Sequence, residues 1–476
     1  MQFAHSEEQQ LIRESARTVL GERAGSAQLR AALDQPGGYD PQLWRTMGEL
    51  GWTGLAIPQE YGGAGLGWVE LCILQEEQGR RLVASPFFAT CALAAPLIAA
   101  SGDGAQRAAL LPRIAAGGVR IGCALIGPEG RPPCDGVTVL LESRAGGFSL
   151  SGVSDFVIHG DSADLLLVLA RTPGSQGADG ISVAVIPAAT PGVTVHPHVM
   201  LDLTRPMSRV EFVGVAIAPD QLLGEPGAAS GAVEAAIDLA RIALASEALG
   251  GAERALEMTT AYAKERVQFG RPIGAFQAIK HRLADMMIAV EAAKSAAWYA
   301  ACVADERREE LGEAAAIAKS YCCDAFFDCA AHAIQLHGGI GFTWEHDMHL
   351  YFKRARAAAT LLGSPGWQRE RLVRHFASGS AATPVFLGGG EERMKLGFTV
   401  KEERFRADAA AWLGAQLSGP FADLRGLTQQ GGLPERRREW ERALGAARWS
   451  CIGWPEAYGG RDASLAEQIN DIVGGH

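Results

Sequence analysis

The ten residues GLAIPQEYGG (54–63) return near the other end of the chain as CIGWPEAYGG (451–460). A stretch so dense in Pro, Gly and aromatic residues dictates an irregular backbone path of its own, so a chain that carries it twice is built from a repeated unit. The flanks extend the match. FTVKEERFRADAAAWL (398–413) has the layout of FAHSEEQQLIRESARTVL (3–20), and WERALGAARWSCIGWPEAYGGRDASL (440–465) that of WRTMGELGWTGLAIPQEYGGAGL (44–66), with Trp449 and Pro455 spaced like Trp52 and Pro58. The expectation is a second copy of the first domain that begins and does not continue.

Between the two copies the texture changes twice. Residues 6–33 and 66–117 carry apolar positions at helical spacing, which predicts an N-terminal helical domain over 1–118. From 119 to 226 short β-rich runs such as VTVLLE, LLLVLAR and SVAVIP alternate with Gly, Pro and Asp turns, the pattern of a middle β-domain. Long Ala-rich segments at 227–378 predict a helical bundle whose small residues let helices pack closely. Residues 379–396 lack any sustained period and read as a linker. A partial second copy of the helical domain then fills 397–476.

At 476 residues and 48% hydrophobic, the chain is able to bury a core in each of these units. A net charge of −10 argues against a general polyanion binder, so no nucleic acid is expected as a partner. The N-terminus has no basic stretch followed by an apolar run, and no apolar run approaches the roughly 20 residues of a membrane span. A cytoplasmic protein without a membrane span is expected. Nine cysteines without a C-x-x-C pair read as reduced core thiols, and no metal site is expected.

Two stretches carry chemistry. AYAKERVQFGRPIGAFQAIKHRLADM (261–286) places Arg266 and Phe269 where a predicted helix runs out, before a turn marked by Gly270, Pro272 and Gly274. An arginine there can grip a diphosphate bidentately while an aromatic neighbour packs on a planar ligand. QLHGGIGFTWEHDMHLYFKRA (335–355) places Gln335, Gly338 and Gly339 where a backbone without Cβ atoms can approach the same ligand. The histidines at 337, 346 and 349 lack metal-ligand spacing and read as structural.

With GLAIPQEYGG, VEFVGVAIAPDQLLGE at the close of the β-domain and Arg241 in the first long bundle helix, residues 1–378 resemble the acyl-CoA dehydrogenase family. The resemblance implies a mainly α fold with a central β-domain: an N-terminal helical domain, a β-barrel-like middle domain and a C-terminal helical bundle. It implies FAD as cofactor, an acyl-CoA substrate and a homo- or hetero-oligomer sharing each FAD across an interface. Arg266, Phe269, Gln277, Gln335, Gly338 and Gly339 match family residues that hold the diphosphate and adenosine of a neighbour's FAD. Electron-transfer flavoprotein is the implied electron acceptor, and bulky sterol-type acyl chains are a further expectation.

The flavin face departs from the family pattern. The family's Thr-Glu-Pro segment is replaced by CALIGPEGRPPCD. Its Trp-Ile-Thr-Asn-Gly becomes Phe156, Val157, Ile158, His159 and Gly160. Phe156 keeps the aromatic beside the flavin ring, whereas Ile158 has no hydroxyl. α,β-Dehydrogenation of a thioester needs a positioned base for the α proton, and the two positions from which the family draws it hold Leu362 and Ala240. Glu247, two helical turns beyond Ala240, is a candidate for a displaced base, with pairing inside the bundle as its structural alternative; Asp155 and Glu345 rank below it.

These features imply the FAD-gripping half of a two-component or fused acyl-CoA dehydrogenase whose own base is missing. Two other readings stay open. One is a self-sufficient relative with a displaced base or other flavin chemistry; the other is a non-catalytic dimerisation scaffold.

Overall fold

The computed structural model describes residues 5–131, 133–378, 400–424 and 434–450, together with 452, 455–458 and 461. The linker expected at 379–396 lies outside the described residues. The chain divides into two compact units, one spanning Glu7–Arg393 and the other formed by Met1–Ser6 and Met394–His476. The protein is mainly helical with a central sheet.

The larger unit opens with six helices, α1 (Glu7–Arg23), α2 (Ser26–Leu33), α3 (Pro41–Glu49), α4 (Trp68–Arg80), α5 (Ala95–Ser101) and α6 (Gly104–Ala115). Local chemistry sets several of their starts. Asp40 accepts a hydrogen bond from Gln42 N (2.8 Å) with Pro41 in the first turn of α3, and Asp103 caps α6 through Gln106 N (2.8 Å). The GLAIPQEYGG segment forms a 3-10 turn at Gln59–Tyr61 that closes on left-handed Gly62.

Eight strands follow: β1 (Ile121–Ala124), β2 (Leu140–Arg144), β3 (Gly147–Ile158), β4 (Leu165–Arg171), β5 (Ile181–Pro187), β6 (Val193–Pro197), β7 (Met207–Ile217) and β8 (Leu222–Leu223). They form one sheet in the order β6-β7-β3-β1-β4-β5-β8, with β2 pairing β3 and β4. LLLVLAR in β4 is buried along its whole length, which explains a continuous apolar run in place of alternation. Leu150, Leu166, Val168, Ile186 and Phe212 build the core beside the sheet, each fully buried side chain contributing about 1.5–3 kcal/mol.

The bundle consists of α7 (Ser230–Glu265), a small hairpin of β9 (Val267–Gln268) and β10 (Arg271–Pro272), then α8 (Gln277–Glu306), α9 (Leu311–His337), α10 (Met348–Thr360) and α11 (Pro365–Ser378). Helix α7 crosses α4 at backbone contact. A Cβ on Gly250 would lie 1.9 Å from the Glu76 carbonyl oxygen, and one on Gly79 would lie 2.0 Å from that of Glu247. Asp305, near the end of α8, accepts hydrogen bonds from Trp68 N (2.8 Å) and Val69 N (3.1 Å), so the bundle caps a helix of the N-terminal region. Among the described residues, no helix is long and apolar enough to cross a membrane.

The smaller unit holds α12 (Val400–Ser418), a 3-10 turn at Ala422–Leu424, α13 (Pro434–Ala446) and a 3-10 turn at Glu456–Tyr458. Trp449, Ala409 and Ile452 are buried together with Phe405, Trp412 and Leu444 packed against them. The residue before each matched tryptophan is left-handed: Gly51 (φ 73°) before Trp52, and Arg448 (φ 61°) before Trp449.

Candidate active site

A cavity of about 290 Å³ opens between the sheet and the bundle. Its walls come from β1, β3, Met200 and the start of β7, residues 125, 126, 130, 131 and 133, and the end of α10 with the chain that leaves it. Phe156 and Ile158 reach it from the end of β3, where the pairing with β7 slips between Ser154 and Val157 and Phe156 takes φ 54°. A bulge of this kind re-aims side chains, and here it turns the end of β3 towards the cavity. The lining is mostly apolar, with Met200, Met207 and Leu361 beside Ile158 and Leu362.

Leu362 is buried and its backbone is left-handed at φ 56°. Its carbonyl accepts from Arg241 Nε (2.9 Å) and Gln368 Nε2 (3.1 Å). Arg241 in turn donates to Asp238 Oδ1 (2.7 Å) and lies over the Trp367 ring at 5.0 Å. The loop is therefore anchored by a buried cation with an apolar side chain at its apex. Ala240 is fully buried inside α7 and does not line the cavity.

Glu247 also lies away from the cavity lining. It is buried, with Oε1 accepting from Arg354 Nη1 (3.0 Å) and Oε2 accepting from Arg205 Nη2. Arg354 also bonds Thr204 Oγ1 (2.7 Å) and Thr204 O (2.9 Å), and its Nε faces Asp202 at 3.2 Å. Both carboxylate oxygens are thus occupied by guanidinium donors, an arrangement that ties α7 and α10 to the loop entering β7. His159 lies in the same buried cluster, and burial, reinforced by Arg205 and Arg354, pushes its imidazole down to about 3. Glu345 is a surface carboxylate outside the cavity lining, held below the usual range first by Thr343.

Asp155 does line the cavity. Its Oδ1 accepts from Phe156 N (2.9 Å) and pairs with His198 Nε2. The His198 ring stacks on Phe156, with centroids 5.6 Å apart.

The six residues matched by the family resemblance lie elsewhere, on the segment between α7 and α8 and at the end of α9. Arg266 follows α7 and is exposed; its carbonyl accepts from Ile273 N (2.8 Å), closing the β9–β10 hairpin. Phe269 and Gly270 form the hairpin turn with φ 52° and 78°, the pairing that a two-residue I′ turn requires. That turn leaves the Phe269 ring 92% exposed. Gln277 begins α8 just beyond the hairpin, and Gln335 is exposed near the end of α9.

Gly338 ends α9 at φ 67°, and a Cβ at Gly338 or Gly339 would meet nothing within 4 Å. Tyr262 links the two groups, donating to the His337 carbonyl (3.3 Å) and stacking on its ring at 4.4 Å. His337 Nδ1 bonds Ala333 O (2.7 Å), and burial lowers its pKa. The edge fits a planar, anionic group: an exposed cation, an uncovered aromatic and two glycines with open space in front. Phe156 is not part of this edge; it stands on the cavity wall.

Asp202, Arg205 and Arg354 were not singled out from sequence. Arg354 sits in the Ala-rich run KRARAAAT, and a cation among small residues at helical spacing is the signal that marks it. The pairing of Asp155 with His198 spans β3 to the end of β6 and leaves no local signature.

A helical region, a sheet and a helical bundle, with a cavity where sheet meets bundle, define a three-part α-β-α architecture. The profile described as the N-terminal domain of acyl-CoA dehydrogenase matches residues 6–118, and that described as its C-terminal domain matches 230–377. The chain belongs to the acyl-CoA dehydrogenase family, an oxidoreductase family whose members are flavoproteins. Acyl-CoA dehydrogenase IpdE2 of Mycobacterium tuberculosis is 38% identical over 369 residues, covering 77% of this chain and 96% of that protein. Acyl-CoA dehydrogenase FadE34 of the same organism is 32% identical over 468 residues, covering 97% of this chain and 56% of that protein. A solved steroid ACAD designated Tcur3481-Tcur3483 is 32% identical with a TM-score of 0.70, covering 78% of this chain and 98% of the matched chain.

Proposed function

We propose that this chain is the FAD-gripping component of a two-component or fused acyl-CoA dehydrogenase, acting on a bulky acyl-CoA of the sterol side-chain type. The observation that carries this reading is a contrast between two places in one bundle. Arg266, Phe269, Gln277, Gln335, Gly338 and Gly339 are all exposed, on two segments that meet through Tyr262 and His337. The cavity has Leu362 and Ile158 where the family supplies a carboxylate and a hydroxyl.

In this reading Arg266 neutralises the diphosphate of the FAD held mainly by a neighbouring copy, and Phe269 covers a flat face of it. Gln277 and Gln335 offer amide hydrogen bonds, while Gly338 and Gly339 allow close backbone approach. When bound, FAD supplies the acceptor for the β-hydride of the thioester. The base for dehydrogenation at that flavin then belongs to the other copy. The match to FadE34 supports a fused arrangement because it runs through the second helical segment and leaves nearly half of that protein beyond the alignment. The double designation of the steroid ACAD supports the two-component form.

The test is to record the visible flavin spectrum of this chain alone and of the chain combined with an intact family copy, then add acyl-CoAs without oxygen. Little flavin alone, with stoichiometric flavin that bleaches in the combination, is the expected result. Flavin that bleaches in the chain alone would establish a self-sufficient dehydrogenase. No flavin in either preparation would leave a dimerisation scaffold. Reoxidation of the bleached flavin by electron-transfer flavoprotein is expected in the combination.

A further inference from the structure

We propose that Asp155 and His198 form a proton-transfer pair serving the cavity of this chain, in which Asp155 takes a proton from the carbon α to a bound acyl thioester without net oxidation. The inference rests on the reading that this chain handles an acyl-CoA, and it places that thioester in the chain's own cavity. It goes beyond that reading by assigning the cavity a chemistry that needs no flavin.

Among the described residues lining the cavity, three side chains carry ionisable groups: Asp155, Arg131 and Cys123. Arg131 is a permanent cation, and burial pushes the Cys123 thiol well up, so it remains protonated. Asp155 is the proton acceptor of the set. Its backbone is fixed from both sides, with Asp155 N and Ser154 Oγ each donating to Ile126 O at 2.8 Å. Asp155 Oδ1 is occupied by Phe156 N and His198 Nε2, whereas Oδ2 makes no hydrogen bond among the described residues.

A carboxylate in the cavity lining with one oxygen anchored and the other without a hydrogen bond is arranged for proton transfer, because the anchored oxygen limits the orientations of the other. The backbone carries strain at the same point. Phe156 holds φ 54° within the β3 bulge, and such conformations persist where their surroundings over-determine them. His198 is held by stacking on that same Phe156 ring.

The carboxylate accepts only, so His198 Nε2 carries the hydrogen of this bond. His198 retains about a third of its side-chain exposure, 32%, while Asp155 retains 9%. The imidazole therefore joins a buried carboxylate to solvent. In the step itself the Cα–H bond breaks, its electron pair stays on the thioester as an enolate, and the proton passes to Asp155 Oδ2. Return of a solvent proton regenerates the thioester, so atoms and electrons balance with no oxidant. Asp155 is the catalytic residue, and His198 is a positioning residue that acts through it.

The test incubates the full chain with octanoyl-CoA in D2O, reads deuterium at the α carbon by mass spectrometry and measures thioester binding by calorimetry. The expected result is binding with one or two α deuterons gained. Asp155→Asn keeps an acceptor for Phe156 N and should bind the thioester unchanged while exchanging at least about a hundredfold more slowly, the scale of losing a general base. His198→Gln, which keeps a donor to Asp155, should retain more exchange than His198→Leu at equal thermal stability.

Binding without exchange, exchange unchanged in Asp155→Asn, or no thioester binding at all would each overturn the proposal. Binding without exchange leaves the proposed function intact, because that function is read from flavin content of the combined copies. Exchange in a chain that acquires no flavin even when combined with an intact family copy would sink the proposed function and leave the pair standing.

Discussion

Arg354 on α10 and Glu247 on α7 form a buried ion pair, Nη1 to Oε1 at 3.0 Å, and Arg205 closes on the second oxygen of the same carboxylate. Through Thr204 and Asp202 the cluster holds the loop whose neighbours Met200 and Met207 line the cavity. Removing one member leaves the other charges buried and uncompensated, which costs about 3–5 kcal/mol.

Glu247→Ala should therefore lower the unfolding free energy by about that amount in urea titration. Activity points the other way. Glu247→Gln should leave turnover per folded, flavin-loaded assembly within about threefold, because both oxygens are committed to arginines and the side chain does not face the cavity. A loss of a hundredfold or more, the scale of a missing general base, would return Glu247 to the chemistry.

The proposed cofactor edge allows binding to be separated from folding. A Cβ at Gly339 meets nothing within 4 Å, so Gly339→Ala should leave stability within about 0.5 kcal/mol. In the combined assembly it should lower retained flavin at least tenfold, as should Arg266→Ala. Unchanged flavin content in both variants would remove this edge from the cofactor site.

His159 gives the fold an acid-sensitive component. Burial first, then Arg205 and Arg354, holds its imidazole down to about 3 against an ordinary value of 6.5. A depressed histidine contributes stability that is complete above about pH 6.5 and is lost as pH falls towards about 3, because the unfolded chain takes up the proton first. The full loss is of order 5 kcal/mol. His159 also holds φ 51°, a conformation that asparagine tolerates well. His159→Asn should flatten stability between pH 6.5 and 4 in urea titrations across that range; an unaltered slope would assign the acid loss to other groups.

The large divisions were legible because they rest on period and composition. The apolar spacing of α1, the continuous run of β4 and the Ala-rich α7 each announce their structure over many residues. The hairpin carrying Phe269 was visible as a turn because Gly270 is one of its two left-handed positions. Leu362 was legible only as a departure from a family pattern; that its carbonyl is anchored by Arg241 depends on two segments meeting in space. The same holds for Glu247, whose partners come from the loop before β7 and from α10. Helical spacing put Glu247 near Ala240, but the spacing carries no information on which cations approach from other elements.

Leu362 offers the sharpest test of what this cavity lacks. Its backbone is already left-handed and its carbonyl is held by Arg241 and Gln368, so Leu362→Glu changes the side chain while the loop anchor remains. The new carboxyl would enter an apolar lining, at a cost of about 1–3 kcal/mol that thermal or urea unfolding would register. If only a base were missing, the variant chain alone would begin to bleach its own flavin on acyl-CoA addition. The expected outcome is no bleaching, because Ile158 still lacks the hydroxyl and, under the proposed function, the edge carrying Arg266 serves a neighbouring copy. A tenfold or greater gain in thioester-dependent bleaching by Leu362→Glu alone would mean that the rest of the flavin face is intact, and the division of labour between two copies would have to be abandoned.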